Sequence, residues 1–308
     1  MSVARGVGLL AAVALDAALG DPARWHPVAG FGAAAAAAEH VTYRPSRLAG
    51  AAHAGVLVAL PTLVAARASR GGGSVRRVVG LAACGWAALG GRSLRRTALR
   101  MADLVDAGDL PQARQLARSL VGRRTDGLDG PDLVRAALES LAENTADAEA
   151  GTLVWGAVAG ASGAVAHRAA NTLDAMVGYR DERYRHFGWG AARLDDVLGW
   201  PAARACAAAT VAAAALCGED ARGALRAWRR DGGQHPSPNA GRVEAAFAGA
   251  LNVTLGGAND YGGRIEERPL LGDGPAPDTA ALRRAVRLSA ASTAVLALTA
   301  AAGAAAWR

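Results

Sequence analysis

Leu288 to Trp307 reads LSAASTAVLALTAAAGAAAW, an apolar run that contains no charged residue. A helix of roughly 20 residues crosses the hydrocarbon core of a bilayer, because each residue adds about 1.5 Å. Similar apolar segments recur along the chain. The sequence therefore predicts an all-α fold, a polytopic α-helical integral membrane protein. Its apolar segments cover residues 4–19, 49–66, 75–91, 151–167, 201–217 and 286–307.

The abundance of alanine keeps a soluble helical bundle open as the alternative. Alanine is nearly neutral in transfer to the bilayer, whereas Leu, Ile, Phe and Val drive insertion. The chain has a single Ile, at Ile265, and three Phe. Its mean hydropathy of +0.14 is modest for a membrane protein.

The charge of the chain is carried by arginine, because all 34 basic residues are Arg and none is Lys. A formal charge of +7 suits a membrane surface or a polyanionic ligand. The arginines are dispersed and aromatic residues make up 5% of the chain, so little is present for base stacking and no nucleic-acid partner is expected. The three cysteines lie in apolar runs without metal-ligand spacing, which predicts small buried side chains.

Polar side chains are concentrated between the apolar segments, in regions 20–48, 92–150, 168–200 and 218–285. A helix opened by Gly130-Pro131-Asp132 places Glu139, Glu143 and Asp147 four residues apart, so an α-helix would carry them on one face. Mg²⁺ is held by one or two such carboxylates together with substrate phosphates. A solvated acidic face is the alternative, and it is preferred for Glu139.

A second polar set follows the apolar segment at 151–167. Asn171 and Asp174 share a helical face, and Gly178-Tyr179-Arg180 ends that helix. Arginine suits bidentate contacts with phosphate or carboxylate. The pair Asp195 and Asp196 either holds Mg²⁺ or serves as an ion-pair partner of Arg193, and the sequence leaves both alternatives open.

The loops add further candidates. Asp21 and His26 lie in the loop after the first helix, where a simple turn is the alternative. The Pro- and Gly-rich stretch 231–241 contains Ser237 and Asn239, and residues 255–261 give a second Gly-rich loop. No P-loop, Gly-x-Gly-x-x-Gly, Ser-His-Asp or His-Glu-x-x-His signature is present, so familiar nucleotide-binding folds are not supported.

A series of short motifs runs along nearly the whole chain in a fixed order: Leu15-Asp16, Gly20-Asp21-Pro22, His26-Pro27-Val28, Glu143-Asn144-Thr145-Ala146-Asp147, Asn171-Thr172-Leu173-Asp174, Gly178-Tyr179-Arg180, Phe187-Gly188-Trp189, Ala192-Arg193-Leu194-Asp195-Asp196, Pro201-Ala202-Ala203-Arg204, Ser237-Pro238-Asn239-Ala240-Gly241 and Leu255-Gly256-Gly257. In order and spacing this series resembles the adenosylcobinamide-phosphate synthase family of cobalamin biosynthesis. Two stretches depart from the family pattern: Gly199-Trp200-Pro201, where Asn and an aliphatic residue are more usual, and Asp147 to Gly151, where a Pro is usual a few residues on.

The resemblance implies one membrane-embedded catalytic domain over residues 1–308. It also implies an ATP-dependent acid-amine ligase that joins adenosylcobyric acid to (R)-1-amino-2-propanol O-2-phosphate, or to the free aminoalcohol, and gives adenosylcobinamide phosphate. The expected cofactors are ATP and Mg²⁺, and the substrate carries a cobalt corrin. Expected partners are these small molecules and membrane lipid, with a homo-oligomer or an association with other late cobalamin enzymes left open.

Site roles follow from the chemistry of the implied reaction. Activation of a carboxylate by ATP needs Mg²⁺ and fixed cations, and the attacking amine must lose a proton. The predicted catalytic residues are Asp21, His26, Asp174, Arg180 and Arg193. The predicted substrate-binding residues are Asn144, Asn171, Thr172, Tyr179, Ser237 and Asn239. The predicted metal ligands are Glu143, Asp147, Asp195 and Asp196.

Topology constrains this hypothesis. If every apolar segment crossed the bilayer, regions 92–150 and 168–200 would face opposite sides and could not share an ATP-accessible site. We therefore predict that the glycine-containing segment 151–167 is re-entrant or buried within protein. The expected location is the cell membrane, multi-pass, with the site facing the cytoplasm. The rival from another class is a transporter or channel with a polar intramembrane path.

Overall fold

The computed structural model describes residues 2–22, 24–70, 73–122, 124–260 and 265–306. The chain is 77% helical, which confirms the all-α class. The helices and strands are α1 Ser2–Leu19, α2 Pro27–Thr42, α3 Arg47–Ser69, α4 Ser74–Leu89, α5 Gly91–Asp106, α6 Leu110–Ala117, α7 Gly130–Asn144, a π-helix Thr145–Ala150, α8 Gly151–Ala159, α9 Ala161–Val177, α10 Tyr184–Phe187, α11 Trp189–Cys217, α12 Ala221–Arg230, α13 Ala240–Leu251, β1 Leu255–Asp260, β2 Ile265–Leu271 and α14 Thr279–Ala306.

Three helices of the described chain are long and apolar enough to cross a membrane, namely α3, α11 and α14. They agree with the polytopic membrane fold and contain most of the apolar segments 49–66, 201–217 and 286–307. Only 22% of the most apolar stretch of α3 is buried inside the protein, so this helix offers an apolar surface to lipid. Helices α1 and α4 have 18 and 16 residues and pack against each other.

The apolar segment 151–167 does not form one straight helix. Gly160 has φ +68°, a left-handed conformation that glycine adopts without strain, and α8 and α9 pack against each other on either side of it. A Cβ at Gly163 would lie 2.1 Å from the carbonyl oxygen of Trp155, so the close approach of the two helices requires glycine. A re-entrant segment must turn back on itself, as α8 and α9 do at Gly160. The prediction that this segment is re-entrant or buried stays a prediction.

The helix that carries the acidic series changes its pitch. Residues Thr145–Ala150 form a π-helix directly after α7, so the prediction of an unbroken α-helical face from Glu139 to Asp147 is wrong. The solvated face preferred for Glu139 is also wrong. Its side chain is buried, and one carboxylate oxygen accepts the N–H of Gly256 at 2.9 Å.

The second Gly-rich loop is mostly a strand. Residues 255–260 pair with β2 in an antiparallel hairpin, with an irregular register between Leu255 and Gly257. Gly256 and Gly257 have φ of 88° and 89°, and a bulge that needs such angles explains why the glycines do not prevent pairing. The prediction of a loop is therefore wrong for these residues, and Tyr261 lies outside the described part of the chain.

The chain divides into two compact units, each with its own core. The first unit takes residues 1–91, 147–202 and 296–308, and the second takes 92–146 and 203–295. In the first unit Phe187, Leu173 and Val177 are buried together. In the second, Phe247 on α13 is fully buried. The prediction of a single catalytic domain stays a prediction.

Candidate functional site

Four arginines of the first unit line one cavity of about 380 Å³, which we call the arginine cavity. It contains Arg180 and Arg193, two of the predicted catalytic residues, together with the predicted substrate-binding residue Tyr179 and the predicted metal ligand Asp196. The full lining is Arg47, Gly178, Tyr179, Arg180, Arg185, Trp189, Ala192, Arg193 and Asp196.

Helix ends position these side chains. Helix α9 stops at Val177, and the N–H of Gly178 donates to the carbonyl of Asp174 at 2.7 Å. A Cβ at Gly178 would lie 1.9 Å from a carboxylate oxygen of Asp174, so glycine is needed where the chain turns towards Arg180. Helices α3 and α11 both begin at the cavity, with Arg47 and Trp189 as their first residues. Their amino termini add partial positive charge.

The cavity carries an excess of positive charge. Among the described residues that line the cavity, Asp196 is the one acidic side chain, against four arginines. It forms an ion pair of 3.6 Å with Arg193, as one of the two alternatives for this carboxylate predicts. The guanidinium of Arg47 lies 5.4 Å from the ring centre of Trp189, which holds it over an aromatic face. Arginines grouped at helix amino termini form a site that suits phosphate or carboxylate.

The carboxyl group of Asp174 lies beside Gly178 of the cavity lining, and its pKa differs from that of an exposed aspartate. Burial raises the pKa of its carboxyl to about 6, and the nearby negative charge of Asp196 acts in the same direction. A carboxylate with a pKa near 6 is ionised at neutral pH and binds a proton more readily than an exposed aspartate. Asp174 is therefore suited to accept a proton beside the arginine cavity.

A second charged group is centred on Arg168 of α9. Burial lowers the pKa of its guanidinium, and Asp147, Asp21 and Asp195 oppose that change by stabilising the charged form. The three predicted aspartates thus interact with one arginine, and Arg168 also donates to the side-chain oxygen of Asn171 at 3.3 Å. Arg168 lines a larger, mainly apolar cavity of about 630 Å³ in this unit. Predicted Thr172 lines it too, and its hydroxyl donates to the Arg168 carbonyl at 2.7 Å.

His26 is held in one orientation by both ring nitrogens. Nδ1 accepts the N–H of Val28 at 3.2 Å and caps α2, while Nε2 lies 3.4 Å from a carboxylate oxygen of Asp21. One ring nitrogen is thus occupied by a helix cap, and the other lies at ion-pair distance from Asp21. The catalytic role of His26 stays a prediction.

The remaining candidates belong to the second unit and have structural contacts there. The Asn144 amide donates to the Ser140 carbonyl at 2.9 Å, and Glu143 is half-buried. The Ser237 hydroxyl accepts the N–H of Ala240 at 3.2 Å, at the start of α13. Asn239 is buried and accepts a hydrogen bond of 3.3 Å from Arg204. Their roles in substrate and metal binding stay predictions, as does the sharing of one pocket with the first set.

The predicted metal ligands meet the needs of Mg²⁺ to different degrees. Among the described residues, no group of three or more His, Cys, Asp or Glu side chains is placed to hold a metal ion. One or two protein carboxylates suffice when substrate phosphates supply the other ligands. Asp196 lines the arginine cavity and so fits that smaller requirement. An arginine would compete with a metal ion at all three aspartates, because Asp196 is ion-paired with Arg193 while Asp147 and Asp195 interact with Arg168.

The sequence predictions did not include several residues of these groups. Arg47 and Trp189 bear no local sign of a shared site, because one opens α3 and the other opens α11. Arg185 stands out only as one of several arginines after Arg180. Arg168 had a usable signal, since it interrupts the end of an apolar segment three residues before Asn171 and so lies on the same helical face.

Fold and cavity together define a class of protein, a polytopic helical membrane protein with an arginine-lined cavity at the starts of α3 and α11. Residues 9–289 match the family model described as CobD/Cbib protein, and the chain belongs to that family. It is 53% identical over 285 residues to the cobalamin biosynthesis protein CobD of Mycobacterium tuberculosis strain CDC 1551, covering 92% of this chain and 91% of that protein.

Other relatives agree with this assignment. The cobalamin biosynthesis protein CobD of Geobacter metallireducens is 42% identical, with 96% of each chain covered. That of Klebsiella pneumoniae is 39% identical, with 84% of each chain covered. No solved structure matches the chain. The family supports a role in cobalamin biosynthesis.

Proposed function

We propose that the protein is an ATP-dependent ligase that joins adenosylcobyric acid to (R)-1-amino-2-propanol O-2-phosphate and forms adenosylcobinamide phosphate. The observation that carries this proposal is the arginine cavity with Asp174 beside it, in a chain of the CobD/Cbib family. Such a ligase handles phosphate groups and must remove a proton from an amine. The cavity offers cations for the phosphates, and Asp174 offers a base.

The first chemical step activates the acid. A carboxylate oxygen of adenosylcobyric acid attacks the terminal phosphorus of ATP, the bond to the ADP oxygen breaks, and an acyl phosphate forms. Arg180, Arg193, Arg47 and Arg185 would hold the phosphate oxygens, because fixed guanidinium groups stabilise the charge that spreads over them. When bound with ATP, Mg²⁺ neutralises part of the phosphate charge, and Asp196 is the carboxylate we propose as its protein ligand.

The second step forms the amide. The amine nitrogen attacks the carbonyl carbon, a C–N bond forms, the C–O bond to phosphate breaks, and inorganic phosphate leaves. The nitrogen loses a proton, and Asp174 is the acceptor we propose. Its pKa of about 6 keeps it ionised at neutral pH while giving it a higher proton affinity than an ordinary aspartate.

The group around Arg168 would support the site without touching the reacting atoms. Asp21, Asp147 and Asp195 interact with its guanidinium, and Nε2 of His26 lies 3.4 Å from a carboxylate oxygen of Asp21. We propose that this group fixes α9, which carries Asn171, Thr172 and Asp174. We also propose that the site faces the compartment that supplies ATP, the cytoplasm.

Turnover of the purified protein tests the proposal. Full-length protein in detergent is mixed with adenosylcobyric acid, ATP, Mg²⁺ and the aminopropanol phosphate, and products are measured by mass spectrometry. We expect adenosylcobinamide phosphate and ADP in equal amounts, with no product when any one substrate is omitted. Folded protein that binds the substrates and yields no amide would contradict the proposal. The relatives' names favour this biosynthetic role over the transporter alternative.

A further inference from the structure

A second basic cavity lies at the other end of α3, and we call it the α3-end cavity. It has a volume of about 380 Å³, and the described part of its lining includes Arg5, Arg70 and Arg77 but no acidic side chain. The lining also includes Leu81 of α4 and Gly160, which lies between α8 and α9. All of these residues belong to the first unit.

The position of this cavity follows from the length of α3. The helix has 23 residues, which correspond to roughly 34 Å, slightly more than the roughly 30 Å hydrocarbon core of a bilayer. Its first residue, Arg47, lines the arginine cavity, whereas Ser69 at its last position lines the α3-end cavity. A membrane-crossing α3 therefore places the α3-end cavity at the bilayer boundary opposite the arginine cavity.

The helix surface next to this cavity is apolar and exposed. Leu63 and Val64, one and a half turns before Ser69, are 48% and 68% exposed, and Leu60 one turn earlier is 57% exposed. Side chains of this kind are stable in contact with acyl chains and costly in contact with water. The apolar surface thus lies beside a cluster of cations, as the tail and head of an anionic lipid would require.

The three arginines of the α3-end cavity differ in their contacts within the protein. Arg5 is fixed, because its Nη1 donates to the Val158 carbonyl at 2.8 Å and satisfies the end of α8. Arg70 and Arg77, by contrast, form no ion pair with any carboxylate in the described ranges. Three guanidinium groups around one cavity repel one another until an anion is bound.

We propose that the α3-end cavity binds the phosphate of an anionic phospholipid headgroup, with the acyl chains lying along α3. Arginine forks hold phosphate through paired N–H donors, and a phospholipid headgroup carries such a phosphate. A lipid is favoured over a free phosphate because the cavity adjoins the exposed apolar face of a membrane-length helix. The proposal does not depend on the chemistry proposed for the arginine cavity.

Lipid binding to the purified full-length chain tests this proposal. The protein in neutral detergent is titrated with phosphatidylglycerol, and bound lipid is counted by native mass spectrometry. We expect one tightly bound phosphatidylglycerol, and an affinity lower by about tenfold or more in the double variant R70Q/R77Q, because each arginine near an anionic headgroup contributes to binding. Phosphatidylcholine, which has no net charge, should bind at least tenfold more weakly to the wild type.

A matched control removes the same charge from the same segment. Arg67 and Arg76 are exposed and do not line the cavity, so R67Q/R76Q should bind phosphatidylglycerol within twofold of the wild type. Gel filtration shows whether R70Q/R77Q folds. If it does not, the single variant Arg70→Gln should still bind phosphatidylglycerol at least threefold more weakly than the wild type.

Three results would overturn the proposal. Equal losses in both double variants would mean diffuse attraction and no defined site. Equal binding of phosphatidylcholine would remove the role of headgroup charge. Displacement of the lipid by glycerol phosphate at the same concentration would identify the ligand as a soluble phosphate.

Discussion

The arginines of the two units differ in their partners. In the second unit Arg284 pairs with Glu219, whose side chain is 6% exposed, and Arg283 lies 2.8 Å from a carboxylate oxygen of both Asp103 and Asp106. In the arginine cavity of the first unit, four arginines share one acidic residue, Asp196, among the described residues of the lining. Arginines paired with carboxylates hold helices and loops together, whereas a group with excess positive charge is left to bind an anion. Anion binding is therefore expected at a group of arginines that outnumbers its neighbouring carboxylates.

The largest effect should come from removing two cations of the arginine cavity. Replacing Arg180 and Arg193 with Gln, in R180Q/R193Q, should lower kcat/KM for amide formation by about 100- to 1,000-fold, because fixed donors stabilise the charge of phosphoryl transfer. Steady-state kinetics on the purified protein measures it. Asp196 loses its ion-pair partner in this variant, so gel filtration must show that the protein is folded. A loss below fivefold would remove these arginines from the mechanism.

Asp174 should control the acidic limb of the pH dependence. Because burial raises its pKa to about 6, the base form is lost as the pH falls through 6, and the wild-type rate should fall with it. Asp174→Asn should lose about 100-fold in kcat and should lack that limb. A pH–rate profile from pH 5 to 8 checks both. If the rate of the variant fell at acidic pH as that of the wild type does, the proton acceptor would be another residue.

Asp174→Asn should lower the reaction rate but raise the stability of the protein at high pH. Since the folded-state pKa of Asp174 exceeds the unfolded value, the folded protein binds more protons between about pH 4 and 6. The free energy of unfolding therefore falls as the pH rises through that window. At pH 8 Asp174→Asn should be more stable than the wild type by about 2 kcal/mol. Denaturation in detergent at pH 4 and pH 8 measures this, and a gain that is equal at both pH values would contradict it.

A paired arginine of the second unit should affect stability and leave the chemistry intact. Arg284→Met removes the cation beside the Glu219 carboxylate, whose side chain is only 6% exposed, and this should lower the free energy of unfolding by about 2 kcal/mol. The activity of the folded fraction should stay within twofold of the wild type. A selective loss of kcat with unchanged stability would break the distinction between paired and unpaired arginines.

A small effect on catalysis is also expected for an arginine that is close in sequence to the cavity but paired with a carboxylate. Arg183 contacts Glu39 at 2.8 Å and stacks on Tyr43 at 4.4 Å. Arg183→Gln should lower the melting temperature and change kcat/KM by less than threefold. The cavity arginine two residues on gives the comparison, since Arg185→Gln should lower kcat/KM by at least tenfold. Equal effects of the two variants would argue against a defined cavity.

Local patterns gave the helices and the turn at Gly178-Tyr179-Arg180, because glycine and helix-ending signals act over a few residues. They failed at Glu139, where the partner is the backbone N–H of Gly256, 117 residues away. They failed again at Thr145, because nothing local indicates a switch to π-helix. Arg47 could not be assigned to the site for the same reason as Glu139, since its place beside Trp189 depends on how α3 and α11 pack.

Phosphate binding tests the central claim most directly, because it does not require turnover. Isothermal titration of ATP with Mg²⁺, and of (R)-1-amino-2-propanol O-2-phosphate, would be carried out on the wild type, on R180Q/R193Q and on the control R67Q/R76Q. We predict that R180Q/R193Q loses at least 30-fold in affinity for one of the two ligands, while R67Q/R76Q binds both as the wild type does. Wild-type affinity of R180Q/R193Q for both ligands would contradict the assignment of the arginine cavity as the phosphate site.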